Sequence, residues 1–198
     1  MKNKSLLTAL AVLALGVSAQ ATTITFQENG SEIALGATST FASSVTGYAS
    51  AGETLFAKNT GPGERGLGLL SDPDHEINNQ NFVQIKGING FILDSISLGS
   101  VQPGEIALIW YSLVQGVLGV QIGSLTSNGS FDVSAYNAGY IGVSAGGVGG
   151  IGNNGIQNAL PNVVLETAVG HVPDGASTML LLGSALTGLG LLKRKLVA

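Results

Sequence analysis

Asp72, Asp74, Glu76 and Asn78 form the densest group of oxygen-bearing side chains in the chain, set at alternate positions of one short segment. Calcium takes about six to eight oxygens from carboxylates, amides and backbone carbonyls, and alternate residues of a loop can converge on one ion. The EF-hand pattern does not fit, because Pro73 takes its second position, Ile77 replaces its glycine and Val83 stands where its bidentate Glu is needed. The segment therefore reads as a solvated acidic turn, with a calcium site at a sandwich edge as the alternative. Gly142-Val143-Ser144-Ala145-Gly146 matches G-x-S-x-G, and Gly147 to Gly152 matches G-x-G-x-x-G. Both chemistries require a helix directly afterwards. The residues from Gly147 to Asn154 cannot form one, and Pro161 soon follows. In so glycine-rich a chain, both matches are expected by chance. His75 has acids near it but no identifiable serine partner for a triad, and His171 stands at the edge of the C-terminal signal described below, so both read as exposed loop residues. Among the aromatics, Trp110 lies in the most apolar stretch and reads as core. Tyr136 and Tyr140 flank a turn and could stack against sugar rings.

Composition bounds what such residues can serve. Between residues 22 and 172 there are three bases, Lys58, Arg65 and Lys86, against eleven acids, and three minus eleven gives −8. Nucleic-acid binding needs a basic stripe to neutralise phosphates, so that class is excluded. The chain has no cysteine, which excludes disulfide and thiol chemistry. The middle region, residues 22–171, has the size of one domain.

The elements that would position these residues read as strands. Thr23 to Gln27, Thr54 to Lys58, Phe82 to Lys86, Phe91 to Leu98, Glu105 to Val114, Leu118 to Leu125, Phe131 to Ala135, Tyr140 to Ser144 and Asn162 to Thr167 alternate or are apolar, with Gly/Asn-rich turns between them. Residues 29 to 53 are weakly patterned, with Phe41, Val45 and Tyr48 as sparse core candidates. No stretch between 22 and 172 carries a sustained helical period with caps. The fold class expected is all-β, an antiparallel β-sandwich of jelly-roll-like form.

Both ends of the chain carry signals of another kind. Lys2 and Lys4 precede an apolar run from Leu6 to Val17, and Ala19-Gln20-Ala21 supplies a small-x-small cleavage site. Residues 1–21 are thus expected to be a signal peptide, handled by the Sec export machinery and signal peptidase. At the other end, Val172-Pro173-Asp174-Gly175-Ala176-Ser177-Thr178 is small, polar and turn-prone. An apolar run of fourteen residues follows from Met179 to Leu192, and Lys193, Arg194 and Lys195 close it. The run is short against the roughly 20 residues of a comfortable span. Taking it from residue 176 to 192 gives a marginal transmembrane helix, which suits a transient segment. The basic stop keeps the end of the chain on the cytoplasmic side.

This tail resembles the PEP-CTERM family of bacterial sorting domains, and most closely its VPDSG or VPDGG variant. The resemblance rests on Val172, Pro173, Asp174, Gly175, Ser177 and Thr178, the apolar span and the basic stop. Ala176 departs from the variant's second small residue. Asp174 and Gly175 depart from the Glu-Pro of the commonest form. The segment from Glu64 to Asn79 is also similar to a "GLG…D…EI" stretch found before a strand in many such proteins. The resemblance implies processing of residues 172–198 by an exosortase-type transpeptidase, through a transient membrane-anchored precursor. The product is expected at the cell surface or in the extracellular matrix of a Gram-negative bacterium. A non-enzymatic surface or matrix protein, associated with exopolysaccharide or biofilm, is the function expected. A secreted carbohydrate-binding module is the alternative, and a hydrolase using Ser144 or Asp72 a third. No cofactor is expected beyond the calcium alternative.

Overall fold

A computed structural model describes residues 20–26, 32–61, 64–149 and 160–173. The expected signal peptide, all but its last two residues, and the expected C-terminal membrane helix lie outside the described residues. Among those described, no helix is long and apolar enough to cross a membrane.

Alternation of apolar and polar residues, with glycine where two backbones meet, produces strands nearly throughout. In chain order they are β1 (Thr22–Thr25), β2 (Ile33–Gly36), β3 (Thr38–Phe41), β4 (Val45–Ala49), β5 (Leu55–Asn59), β6 (Arg65–Leu69) and β7 (Ile77–Asn78). Then follow β8 (Val83–Gly87), β9 (Ile92–Gly99), β10 (Glu105–Ser112), β11 (Val120–Leu125), β12 (Gly129–Asp132), β13 (Tyr140–Gly147) and β14 (Asn162–His171). They form two antiparallel sheets. One runs β12-β9-β14-β6-β5-β2, with β1 and β7 also paired to β14, and the other runs β11-β10-β13-β8-β4-β3. The fold is therefore all-β and sandwich-like, as the alternation predicts.

The pairings are nested. β10 pairs with β11, β9 with β12, β8 with β13 and β7 with β14. Successive pairs alternate between the two sheets, so the second half of the chain is one long hairpin folded over itself. Ile24, Leu67, Leu98, Leu165 and Ala168 from one sheet meet Val45, Val83, Ile85, Ile109, Ile141 and Val143 from the other in one buried core.

Strand β14 is the hub. Its edge toward β9 is paired from Val164 opposite Gly99 to His171 opposite Ile92. Its other edge is shared by β7 (Asn162 opposite Asn78), β6 (Leu165 opposite Leu67) and β1 (Thr22 opposite Gly170).

The strand readings need correcting: β6 and β7 were not among the expected strands, and two further stretches differ. Residues 29 to 53 hold β2, β3 and β4 despite their weak pattern. One cause is Gly47, which faces the core between Leu67 and Phe41 where the alternation would call for an apolar side chain. The expected strand from Phe131 to Ala135 stops at Asp132. The Asp132 carboxylate accepts the Ser134 N–H at 2.8 Å and turns the chain into a 3-10 turn at Ser134–Tyr136.

Two glycines of β6 set how closely its neighbours approach. A Cβ at Gly66 would collide with the Leu165 carbonyl of β14, and one at Gly68 with the His75 carbonyl. Gly68→Ala is expected to destabilise the fold by ~3 kcal/mol, an overpacking cost against backbone that cannot swing aside. Urea unfolding of the variant beside the parent checks this.

Candidate functional site

The acidic segment folds back on itself. Asp72 is buried, and its Oδ1 accepts the backbone N–H groups of Asp74 (3.0 Å) and Glu76 (3.4 Å), while its Oδ2 accepts the Asn78 amide (3.1 Å). Asn78 Oδ1 in turn accepts the N–H groups of Gln80 and Asn81 at 2.9 and 3.1 Å. These are the turn-stabilising bonds that Asp and Asn side chains make to nearby backbone. The turn was expected to be solvated, yet of its four candidate ligands Asp72, Glu76 and Asn78 are buried and only Asp74 is exposed. His75 takes a positive φ of 57° at the apex. Its ring lies 4.1 Å from that of Phe56, so it is packed rather than fully exposed. Its Nδ1 is buried without a hydrogen-bond partner among the described residues.

Glu76 leaves this turn and enters a second network. Its Oε1 pairs with the buried Lys58 ammonium of β5 and accepts the Ser100 hydroxyl at 2.7 Å. With its amide turned so that Nδ2 faces the carboxylates, Asn162 donates to Glu76 Oε2 and Glu105 Oε1, each at 3.1 Å. Glu105 also accepts the Asn162 N–H (3.2 Å) and the Gln102 N–H (2.9 Å). Glu105 opens β10 and Asn162 opens β14, so this seam ties the two sheets at one end of the sandwich. Burial raises the Glu76 carboxyl above its ordinary range, and Lys58 and Ser100 offset part of that. Of the four residues weighed as calcium ligands, Asp72, Glu76 and Asn78 thus have oxygens committed to protein donors. Among the described residues, no group of three or more His, Asp or Glu is placed to hold a metal ion.

Ser144 is buried in the middle of β13, where its Oγ accepts the Trp110 indole N–H at 2.9 Å. That position is a paired strand, with Leu108 opposite, and not the strained strand-to-helix turn of a nucleophile elbow. His171 closes β14, its Nδ1 2.9 Å from Asp94 Oδ2 of the neighbouring β9. It belongs to a strand rather than to a loop.

Trp110 is not core. Tyr48, Gln84, Gly142 and Trp110 lie opposite one another across β4, β8, β13 and β10, in one row on the outer face of the six-stranded sheet. Tyr140, two residues before Gly142, shares that face. Its ring lies 5.5 Å from Tyr48 and under the Lys86 ammonium. Tyr136 packs instead on Tyr111, at 5.2 Å, against the core. Tyr136 and Tyr140 therefore do not form one platform. The row across four strands was invisible in sequence, because the residues come from segments up to 94 positions apart that only the register brings together.

The sorting tail starts where the fold stops. His171 is the last residue of β14, and Val172 and Pro173 beyond it are exposed. Asp174, Gly175, Ser177, Thr178 and the Lys193-Arg194-Lys195 stop lie outside the described residues, as does Ala19. Ala21 is exposed, one residue before β1. Residues 171–196 match the VPDSG-CTERM motif, a variant of the PEP-CTERM sorting tail. No curated protein matches the chain. The motif implies an exported protein, processed at a membrane by an exosortase-type enzyme.

The buried pair gives a direct test of the seam. Lys58→Met leaves the Glu76 carboxylate without its cation and is expected to cost about 3–5 kcal/mol. Adding Glu76→Leu removes the orphaned charge and should recover most of that loss. Urea unfolding of both variants reads the difference.

Proposed function

We propose that this protein is a non-catalytic component of the bacterial cell surface or extracellular matrix, delivered there by its tail. The observation that carries the reading is the position of the VPDSG-CTERM match, which begins at the last residue of the hub strand. Every residue of the sandwich then precedes the processed segment, so the tail can be removed or transferred without breaking a strand pairing. The acidic domain supports the same reading, since a net charge far from zero keeps an exported protein dispersed. The nested pairing from β7 to β14 supports a jelly-roll-like form of the sandwich. In this reading the tail, residues 172–198, anchors a precursor in the inner membrane of a Gram-negative cell through residues 176–192. The exosortase-type enzyme then releases or re-attaches the domain, which associates with exopolysaccharide.

A carbohydrate-binding role is the second reading, favoured by the shared outer face of Tyr48, Trp110 and Tyr140. Aromatic side chains with a polar tip suit recognition of sugar faces and hydroxyls together. Trp110→Ala is expected to weaken binding of the protein to the cell's exopolysaccharide at least tenfold, and Tyr136→Ala to leave it unchanged, in a sedimentation assay.

Intact mass of the protein from medium and from membranes tests the favoured reading. The expected product has lost both ends, near Ala21 and between Val172 and Ala176. A variant carrying Pro173→Ala and Asp174→Ala should stay in the membrane at full tail length. A wild-type chain that keeps its tail throughout would overturn the sorting role.

A further inference from the structure

The turn between β10 and β11 gathers four exposed large apolar side chains within eight residues. From Ser112 to Phe131 there is no charged residue. Leu113, Val114, Val117 and Val120 are 70, 58, 51 and 69 % exposed. A run of large apolar side chains held in water marks a surface that meets something else.

The turn is also built to keep its backbone away from that surface. Gln84, fully buried beneath it, accepts the Gly116 N–H at 2.7 Å and donates to the Val117 carbonyl at 2.8 Å. The Ser112 hydroxyl donates to the Val114 carbonyl at 3.0 Å, and its oxygen accepts the Val114 N–H at 3.1 Å. Polar backbone is thus satisfied inward while apolar side chains face outward. Hydrocarbon demands that arrangement, since it offers no partner to an open N–H or C=O.

The position of the turn supplies the occupant. β10 ends at Ser112, opposite Tyr140, and the next residue of β13, Ile141, is opposite Ile85 of β8. β8 then runs to Gly87, and a short connection leads to Ile92, which is opposite His171. Thr22 is opposite Gly170. The apolar turn, the start of β1 and the end of β14 therefore lie at one end of the sandwich, and the buried seam at the other. Only residues 172 to 175 separate β14 from the segment read as membrane-spanning. Four residues reach at most ~14 Å when extended, so a tethered domain presents this end to the bilayer.

We propose that residues 113–120 are a bilayer-docking hairpin. While the chain is tethered, Leu113, Val114, Val117 and Val120 enter the interfacial layer and orient the domain against the membrane. The proposal rests on the tethered precursor of the preceding section. The contact is apolar in origin, because a domain of net charge −8 is repelled by anionic headgroups and by its own copies alike.

The chain has no cysteine, so single labels are unambiguous. Full-length chains carrying Val117→Cys, Val148→Cys or Leu181→Cys, each with an environment-sensitive dye, are reconstituted in phosphatidylcholine vesicles containing lipids spin-labelled in the acyl chain. Val148 is the control. It is 58 % exposed, like Val114, but its N–H bonds the Gly104 carbonyl at the opposite end of the sandwich. The expected result is quenching at Val117 at least threefold stronger than at Val148. No quenching at Val117, or equal quenching at both, overturns the proposal. So does an emission shift at Val117 that follows protein density without lipid quenching, which would mean a second copy of the chain. Leu181 reads the tether separately. If it is quenched and Val117 is not, the hairpin alone fails. If it is not quenched, the tethered reading fails, and Val117 still decides the hairpin.

Discussion

Strand β14 is the constraint on which the rest of the structure depends. Ten residues near the end of the chain, Asn162 to His171, supply the pairing edge for β9 on one side and for β7, β6 and β1 on the other. Without it the eight-stranded sheet loses the join between its halves, and Leu165 and Ala168 leave the core. Contacts between β14 and strands as distant as β1 close the longest loops in the chain, and such pairings form only after their ordering cost has been met. The domain is complete only when its last strand is in place, and the sorting tail follows that strand directly.

The two ends of the sandwich are chemically distinct. At one, Lys58, Glu76, Ser100, Glu105 and Asn162 form a buried polar seam across both sheets. Burying charge is expensive unless each group is paired and hydrogen-bonded. The seam meets that condition for Glu76 with a cation, a hydroxyl and an amide. It fixes how the two sheets meet far from the chain's ends. At the other end the chain enters at Thr22 and leaves at His171, beside an uncharged apolar turn. A domain arranged in this way can be tied at one end while the other holds its shape.

Much of this was legible in the sequence, and the failures have physical causes. The alternation of Val83 and Ile85 against Gln84 and Lys86 gave the right face for β8, because one side of that strand is buried in the core. The weak pattern of β4 and β6 hid them, because glycines there make room for neighbouring backbone and side chains instead of contributing apolar area. Asp72, Glu76 and Asn78 stood out as a cluster by residue type. The partners of Glu76 come from segments whose pairing no local pattern announces, Lys58 and Asn162 on strands and Ser100 just past one. The tail was the most legible part, since its three segments act in linear order and need no tertiary context. Trp110 was misplaced because β10 is apolar on both faces, so its outer face looks like its buried one until the register is known.

The central claim is that the fold closes on β14 and owes nothing to the tail. Its most direct test compares thermal unfolding of the chain from Thr22 ended at His171 with the same chain ended at Glu166, each against the form that carries its tail. The account predicts that ending at His171 leaves a single cooperative transition at an unchanged midpoint. Ending at Glu166, which removes the residues paired with β1 and the start of β9, should abolish that transition. A chain ended at His171 that fails to unfold cooperatively, or one ended at Glu166 that unfolds as the full domain does, would contradict it.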